Sequence, residues 1–336
     1  MINVAMWGKA LRVIPRISKA EWDRLDVISR WLISTRAAVF IMTAMAAAIG
    51  GLLAWRSGNF SWGLFLITML GLVLAHATNN MLNDLVDFQK GIDHNNYYRS
   101  LYGPQPLEHG LLSRPRFMLY LWITGLAALG LGTIIVWQIG FPALWFLLAG
   151  LFFLLFYTWP LKYYGLGEPS VIVVWGPLMV GGTYLVASGG QWDNSVLFLS
   201  LVYALGPTTV LFGKHTDKLL EDKAKGVNTL PVLLGEKAAR YTTIGFWVAQ
   251  YLLILGLVIT RSMSPALLIV LLALPKFISV SKLFSKPRPL SEPPELEKNV
   301  WPLYLSANAF VYNRQFGLLF LLGLVLDVVL LKTGIL

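Results

Sequence analysis

The sequence contains no cysteine, so it can form neither a disulfide framework nor a thiolate metal site. Charge is also scarce, because only 13% of the residues are Asp, Glu, Lys or Arg, against roughly 25% in a soluble domain. The first 35 residues lack a continuous apolar stretch, and we therefore expect no cleavable signal peptide. These deficits point away from a secreted or soluble domain and towards a protein of the lipid bilayer.

Apolar residues make up 56% of the chain, and 13 Trp and 13 Tyr could serve as anchors at a membrane interface. Nine apolar runs are near the ~20 residues that a membrane-spanning helix needs. We therefore predict an all-α membrane protein with nine transmembrane helices. The runs cover residues 36–55, 60–82, 117–138, 142–159, 169–188, 195–213, 239–260, 263–282 and 314–333.

Residues 1–35 mix apolar and basic side chains along their whole length. Such a mixture is typical of an amphipathic helix that lies on the membrane surface, and we interpret the segment as an interfacial anchor. The remaining residues, 36–336, are predicted to form one domain. Arg36 begins the first span, where its long side chain is expected to reach the membrane interface.

The chain carries a net charge of +10, and its basic residues are unevenly distributed. If the N-terminus is cytoplasmic, every Lys and Arg except Arg56, Arg261 and Lys332 falls on the cytoplasmic side. This asymmetry follows the positive-inside rule and explains the charge without nucleic acid as a partner. It places the N-terminus in the cytoplasm and, with nine spans, the C-terminus on the opposite side. No obligatory protein partner is evident.

A first polar cluster follows the second apolar run, from His76 to Asp93. At helical spacing, His76, Asn80, Asn83, Asp84 and Asp87 share one face. Ionisable groups at the edge of a membrane are costly and usually face a functional cavity. Carboxylates with amide neighbours are suitable ligands for a hard cation such as Mg²⁺, which often bridges to substrate phosphates.

A second polar cluster lies four spans later, from Gly213 to Pro231, and the two motifs occupy residues 80–93 and 214–231. The pattern Asp87-x-x-Lys90-Gly91 recurs as Asp222-x-x-Lys225-Gly226, which indicates two internal repeats. Acids for a metal combined with lysines for oxyanions are typical of a site that handles a diphosphate. Five ionisable residues of the second cluster recur at helical intervals: Lys214, Asp217, Lys218, Glu221 and Asp222.

With these motifs, the chain resembles the UbiA-type intramembrane prenyltransferases over roughly residues 33–333. Asn83-Asp84-x-x-Asp87, followed by Gly91 and Asp93, is similar to the first aspartate-rich motif of that family. The segment Asp222 to Pro231 is similar to the end of the second motif. The segments Tyr157–Lys162 and Tyr164–Glu168 are similar to the Tyr/Lys region between them. One position departs from the family pattern, because Lys218 stands where members usually carry Asp.

The resemblance implies a helical bundle around a central cavity open to lipid, with the active site at the cytoplasmic face. It also implies that the protein binds Mg²⁺, with two ions expected, and that a prenyl diphosphate is the donor substrate. The expected metal ligands are Asn83, Asp84, Asp87, Asp93, Asp217, Glu221 and Asp222. The expected substrate-binding residues are Asn80, Asn83, Arg99, Tyr157, Lys162, Lys214 and Lys218, although Arg99 is equally well explained as a loop charge. The residues expected to carry the reaction are Asp84, Asp87, Asp217, Asp222 and Lys162.

The acceptor is expected to be aromatic, because the Tyr164–Glu168 segment resembles that of 1,4-dihydroxy-2-naphthoate prenyltransferases, which act in menaquinone biosynthesis. The alternatives on the same scaffold are a 4-hydroxybenzoate, tetrapyrrole or other lipid acceptor, or cyclisation of the prenyl diphosphate. A transporter of an anionic solute would share the repeats and the basic loops. It would bind at the membrane midplane, whereas these acids cluster at one edge.

Overall fold

The computed structural model describes residues 2–92, 103–294 and 300–335. Its N-terminal segment forms three short helices, α1 (Val4–Arg12), α2 (Lys19–Trp22) and α3 (Val27–Ser34). The prediction of one amphipathic helix is therefore wrong. Val13 is extended and Pro15 has no backbone N–H to continue α1, while Ser18 and Asp26 cap the next two helices.

Eight helices of the described residues are long and apolar enough to cross a membrane. A ninth apolar helix, α7 (Phe141–Phe156), has 16 residues, fewer than the ~20 of a typical span. The eight are α4 (Ala37–Arg56), α5 (Trp62–Gln89), α6 (Arg114–Ile139), α8 (Gly167–Ala187), α9 (Asn194–Asp217), α12 (Glu236–Ile259), α13 (Pro265–Phe284) and α14 (Tyr304–Lys332). The shorter ones are α7 (Phe141–Phe156), α10 (Leu219–Ala224) and α11 (Leu230–Leu234).

Two helices differ most from the sequence prediction, and polar residues cause both differences. Helix α5 continues to Gln89 rather than 82, so the first acidic motif lies on its last turns. Helix α14 begins at Tyr304 rather than 314, because the polar side chains in its first turns interrupt the apolar pattern without interrupting the helix. Asn313, for example, donates hydrogen bonds to the Thr209 hydroxyl and the Ala309 carbonyl.

The helices bury two apolar clusters. The larger one joins α4, α8, α9, α12, α13 and α14, with Trp247, Tyr312 and Phe316 at its centre. The smaller one joins the N-terminal segment to α5, to α6 and to the loop before α6. Trp22 and Ile33 are each 1% exposed in this cluster, so the N-terminal segment packs on the bundle.

Helix α8 changes its geometry halfway along. Between Val174 and Gly181 it widens into π-type turns that contain Pro177, which has no N–H to donate. Val174, Trp175 and Met179 of this stretch line a large cavity inside the bundle. The widened turn thus lies at the wall of the cavity, a common place for such turns.

Candidate active site

The first acidic motif occupies the last turns of α5. Asp84 and Asp87 are 2% and 1% exposed, and three residues of helix bring them to the same side. Asn80, one turn earlier, donates a 2.8 Å hydrogen bond to the carbonyl of Thr35. The side-chain oxygen of Asn83 is buried and accepts no hydrogen bond from the described residues. Two carboxylates and an amide oxygen therefore lie together at the end of this helix.

Arg36 forms an ion pair with Asp84. The sequence placed this arginine at the membrane interface, and the structure corrects that interpretation. Arg36 adopts a left-handed backbone conformation, with φ of 55°, between α3 and α4. Such a conformation is uncommon for a residue with a Cβ and is often found at functional sites. The turn brings the guanidinium inward, where it also lines the large cavity.

The segment after α7 supplies the cationic partner of Asp87. The Nζ of Lys162 lies 3.1 Å from Asp87 Oδ1 and 3.3 Å from Oδ2, and the lysine is 7% exposed. The turn at Leu161–Tyr163 holds it in place, and Gly167 packs closely on its backbone. A buried lysine and a buried aspartate each reduce the desolvation cost of the other. The resemblance had assigned both residues to the site.

Backbone and lysine contacts join the two motifs. The Nζ of Lys225, in the second motif, donates a 2.6 Å hydrogen bond to the carbonyl of Ile92. Tyr164 of the middle segment forms an isolated parallel bridge with Asn228. The three segments that the sequence singled out thus meet at one end of the bundle.

The charged side chains of the second motif lie in two different places, because α9 ends at Asp217 and Lys218 leaves helical geometry. Lys218 is 7% exposed and its Nζ lies 2.7 Å from Oδ1 of Asp222. Asp217 instead accepts hydrogen bonds from the backbone N–H groups of Leu305 and Ser306 and from Arg288. Asp217 therefore caps the N-terminus of α14, a position that favours an anion. Glu221 is half-buried on α10.

A small polar pocket of about 30 Å³ collects side chains from all three segments. This pocket adjoins the large cavity, which has a volume of about 830 Å³. The residues that line both are Asn83, Tyr157, Leu211 and Lys214. The large cavity is lined mainly by apolar side chains, and the pocket at its end by amide, carboxylate and ammonium groups. The pocket residues are Asn83, Asp87, Ile92, Tyr157, Lys162, Leu211, Lys214, His215 and Lys218.

Two residues of this region were not assigned to the site from the sequence. His215 lines the polar pocket, and its Nδ1 is 2.5 Å from Oε1 of Glu168, which is fully buried. The other Glu168 oxygen accepts a hydrogen bond from the N–H of Leu230. The glutamate thus fixes the histidine and the second-motif loop together. A signal was present, because both are ionisable residues at the ends of apolar runs.

The fit to a divalent cation differs between the two motifs. Within the part of the chain that the structure describes, no group of three or more His, Asp or Glu side chains lies close enough to hold a metal. Mg²⁺ nevertheless needs only one or two carboxylates when waters and substrate phosphates complete its shell. Asn83, Asp84 and Asp87 meet that requirement. Asp93 and Arg99, also predicted for the site, lie outside the described residues.

Comparisons with known proteins agree with these motifs. Residues 42–296 match the model of the UbiA prenyltransferase family. The chain is 27% identical over 260 residues to UbiA prenyltransferase domain-containing protein 1 of Gallus gallus, covering 76% of each chain. It is 26% identical over 228 residues to 1,4-dihydroxy-2-naphthoate octaprenyltransferase of Bacillus subtilis, covering 66% of this chain and 71% of the relative.

Solved structures share the fold. An apo UbiA homolog from Aeropyrum pernix K1 superposes with a TM-score of 0.64 at 18% identity, covering 86% of this chain and 97% of that one. A UbiA homolog from Archaeoglobus fulgidus, bound to DMAPP and Mg²⁺, gives a TM-score of 0.52 at 12% identity, with 84% and 97% covered. The arrangement of the helices is thus common to these proteins.

Proposed function

The chain belongs to the UbiA prenyltransferase family, and from this premise we propose that it transfers an isoprenoid chain from a prenyl diphosphate to 1,4-dihydroxy-2-naphthoate. The enzyme is a prenyltransferase, as its relatives are named. The donor, the acceptor, the metal and the orientation in the membrane are the proposed parts.

The choice of a prenyl diphosphate as donor substrate is supported by the continuity between the apolar cavity and the polar pocket. A prenyl diphosphate has a long hydrocarbon tail and a small, highly charged head. The tail would lie in the cavity of about 830 Å³ and the head in the pocket that contains Lys162, Lys214 and Lys218. Ligand sites with apolar walls and a few convergent polar groups are the usual form of small-molecule sites.

Asn83, Asp84 and Asp87 would hold Mg²⁺, and Asp93 stays a predicted ligand. The relative from Archaeoglobus fulgidus that is bound to both Mg²⁺ and DMAPP supports this choice of cation. When bound, the cation would stabilise negative charge on the departing diphosphate. Asp217, Glu221 and Asp222 were predicted as further ligands, and Asp217 already accepts three hydrogen bonds from protein groups.

The protein's own cations would act on the phosphate oxygens. Lys162 and Lys214 both line the pocket with ammonium groups, and Arg36 offers a planar guanidinium beside Asp84. The diphosphate leaves with the electron pair of its C–O bond, and positive charge develops on the allylic carbon. Tyr157 lines both the pocket and the cavity, so its ring lies near that carbon and stabilises the charge through its π-face.

The acceptor assignment rests on the Tyr164–Glu168 segment and on the naphthoate-specific relatives, which also include an Escherichia coli enzyme. Dihydroxynaphthoate is a flat, electron-rich acid. Its ring would stack on aromatic side chains, and its carboxylate would pair with a basic residue such as Lys162. A ring carbon attacks the allylic carbon, and a base takes the proton that this carbon carried. The carboxylate leaves as CO₂, and a proton takes its place on the ring, so the aromatic ring is restored.

The membrane arrangement is also proposed. We place α7 across the bilayer with the eight longer helices, so that nine crossings put the termini on opposite sides. The N-terminus and both acidic motifs would face the cytoplasm, because nearly all of the basic residues then lie on that side.

The test is the mass of the product. The purified protein receives Mg²⁺ and one prenyl diphosphate, together with either 1,4-dihydroxy-2-naphthoate or 4-hydroxybenzoate. The proposal expects a prenylated naphthalene that has lost CO₂ as the dominant product. A prenylated hydroxybenzoate, or a cyclised isoprenoid without any aromatic product, would place the enzyme in another branch of the family.

A further inference from the structure

The second motif contributes cations to the pocket, whereas Asp217 is engaged elsewhere, Asp222 is paired with one of those cations, and Glu221 does not line the pocket. Asp217 is 3% exposed, and three donors occupy its carboxylate at the N-terminus of α14. It is not among the pocket-lining residues, whereas Lys214 and Lys218 of the same motif are. The break in the helix after Asp217 separates these two neighbours.

Lys218 is the residue that decides the charge of this half of the site. Burying an ammonium group is costly, and it is tolerated where an anion compensates it. One anion is Asp222, whose Oδ1 lies 2.7 Å from Lys218 Nζ. The same lysine lines the pocket together with Asp87, Lys162 and Lys214. Three ammonium groups therefore converge on a pocket of about 30 Å³.

A divalent ion at the second motif would meet unfavourable electrostatics. Asp222 already pairs with Lys218 through Oδ1. Its Oδ2 accepts no hydrogen bond from the described residues and is the one oxygen of this carboxylate left to bind a metal. One carboxylate oxygen beside a buried ammonium is a weak ligand set, because the ammonium repels a second cation at short range. The first motif also has cationic neighbours, Arg36 beside Asp84 and Lys162 beside Asp87, but it offers two carboxylates and the buried amide oxygen of Asn83 rather than a single carboxylate oxygen.

We infer that Lys218 takes the place of a second metal ion, so that the site binds one divalent cation, at the first motif, and holds the other side of the diphosphate with Lys218 and Lys214. This inference rests on the proposed function, because it concerns how the same donor is bound. It also replaces the expectation of two Mg²⁺ ions with one. An ammonium group supplies a single charge as a point donor, which suits a phosphate oxygen.

The experiment counts the metal ions. The full-length protein in detergent is saturated with the S-thiolodiphosphate analogue of geranyl diphosphate, which binds without reacting. Mn²⁺ is then titrated, and bound ions per chain are read from the loss of the free Mn²⁺ electron paramagnetic resonance signal. The wild-type protein is expected to bind one Mn²⁺ per chain. Lys218→Asp is expected to bind two, because it restores a carboxylate pair with Asp222 at helical spacing.

Lys223→Asp is the matched control. Lys223 lies on α10, is exposed, and does not line the pocket, yet its substitution changes the net charge by the same amount. This variant is expected to bind one Mn²⁺, like the wild type. A third variant, Lys218→Met, removes the charge without adding a ligand. It is expected to bind one Mn²⁺ and to bind the diphosphate analogue at least several-fold more weakly than the wild type.

The wild-type count alone can overturn the inference, even if Lys218→Asp does not fold. Two Mn²⁺ ions per wild-type chain, with the analogue bound, would show that the second motif holds a metal. Unchanged affinity of Lys218→Met for the analogue would equally contradict it. Failure of the proposed function gives a different result, because then the wild type binds no prenyl diphosphate analogue at all.

Discussion

Lys162 donates hydrogen bonds to both carboxylate oxygens of Asp87, from a position 75 residues further along the chain. Both side chains are buried, so the ion pair is shielded from solvent. It connects the end of α5 to the turn after α7, at the place where the apolar cavity meets the polar pocket. The pair thus lies where the charged head of a prenyl diphosphate would bind.

The carboxylates of the first motif should be essential for activity. We expect Asp84→Asn and Asp87→Asn each to lower kcat by about a hundredfold or more, the scale of losing one preorganised electrostatic contact in an active site. The volume of the side chain is kept, so the helix should remain intact. Prenyl transfer is measured in saturating Mg²⁺, with circular dichroism as the control for folding. Near-normal turnover by both variants would disprove the metal role.

The pair of Lys162 and Asp87 should be energetically coupled. In a double-mutant cycle with Lys162→Met and Asp87→Asn, we expect a coupling of roughly 0.5–3 kcal/mol in the free energy of unfolding. Lys90→Met combined with Asp87→Asn is the matched control, since Lys90 is exposed and lies over the rings of Trp159 and Tyr163. Unfolding in mixed micelles measures all variants. Additive effects in the Lys162 cycle would mean that the contact contributes nothing to stability.

A bulky side chain placed in the large cavity should make the enzyme prefer prenyl diphosphates with shorter chains. Gly150 lines the large cavity, and a Cβ at this position would meet no atom within 4 Å. Gly150→Phe is therefore expected to lower kcat/KM for long prenyl diphosphates much more than for geranyl diphosphate. Gly130→Phe adds the same ring at an exposed glycine outside the cavity and should leave the ratio unchanged. Equal losses for long and short donors would argue against a tail site in this cavity.

The N-terminal segment should detach in acid through Asp26. This carboxylate is partly buried, which opposes ionisation, but hydrogen bonds from Ser29, from Trp7 and from the backbone of Asn3 outweigh burial and lower its pKa. Because the folded-state pKa lies below the unfolded value of about 4, the stabilisation is complete above that pH and is lost as the pH falls towards the folded-state pKa.

Hydrogen exchange of the amides of α1 and α3 measures this effect. In the wild type, protection should be constant above about pH 4 and decline below it. Asp26→Asn should show weaker protection at neutral pH and a smaller further decline in acid. Identical pH profiles for the wild type and the variant would show that another group controls the segment.

The membrane orientation can be tested because the chain has no native cysteine. Gln89 and Gln191 are both exposed, at opposite ends of the bundle's predicted topology. A cysteine at Gln89 should react with an impermeant maleimide only from the cytoplasmic side, and one at Gln191 only from the other side. Labelling of both cysteines from the same side would contradict the nine-crossing arrangement.

Much of the helix pattern was accessible from the sequence alone. The first apolar run, 36–55, corresponds to α4 at Ala37–Arg56, and the third and sixth runs differ from their helices by a few residues at each end. Hydropathy over about 20 residues is a local property, and a bilayer imposes that length on the chain. The start of α14 was missed because its polar residues make hydrogen bonds inside the bundle.

The contacts that complete the candidate site were less accessible. Arg36 meets Asp84 across 48 positions of the chain, and His215 meets Glu168 across 47. Neither pair shares a helix, so helical periodicity could not relate them. Helical periodicity also could not show that the N-terminal segment packs on the bundle, because the apolar cluster that contains Trp22 and Ile33 also includes residues of α5, α6 and the loop before α6.

The sequence by itself determined that the chain has apolar spans and two acidic motifs at helix ends, since composition and helical spacing are local properties. Only the tertiary structure decided which side chain of the second motif faces the pocket. Asp217 and Lys218 are adjacent in the chain, but the helix ends between them. The aspartate is therefore held by the first N–H groups of α14, while the lysine enters the pocket beside Asp87.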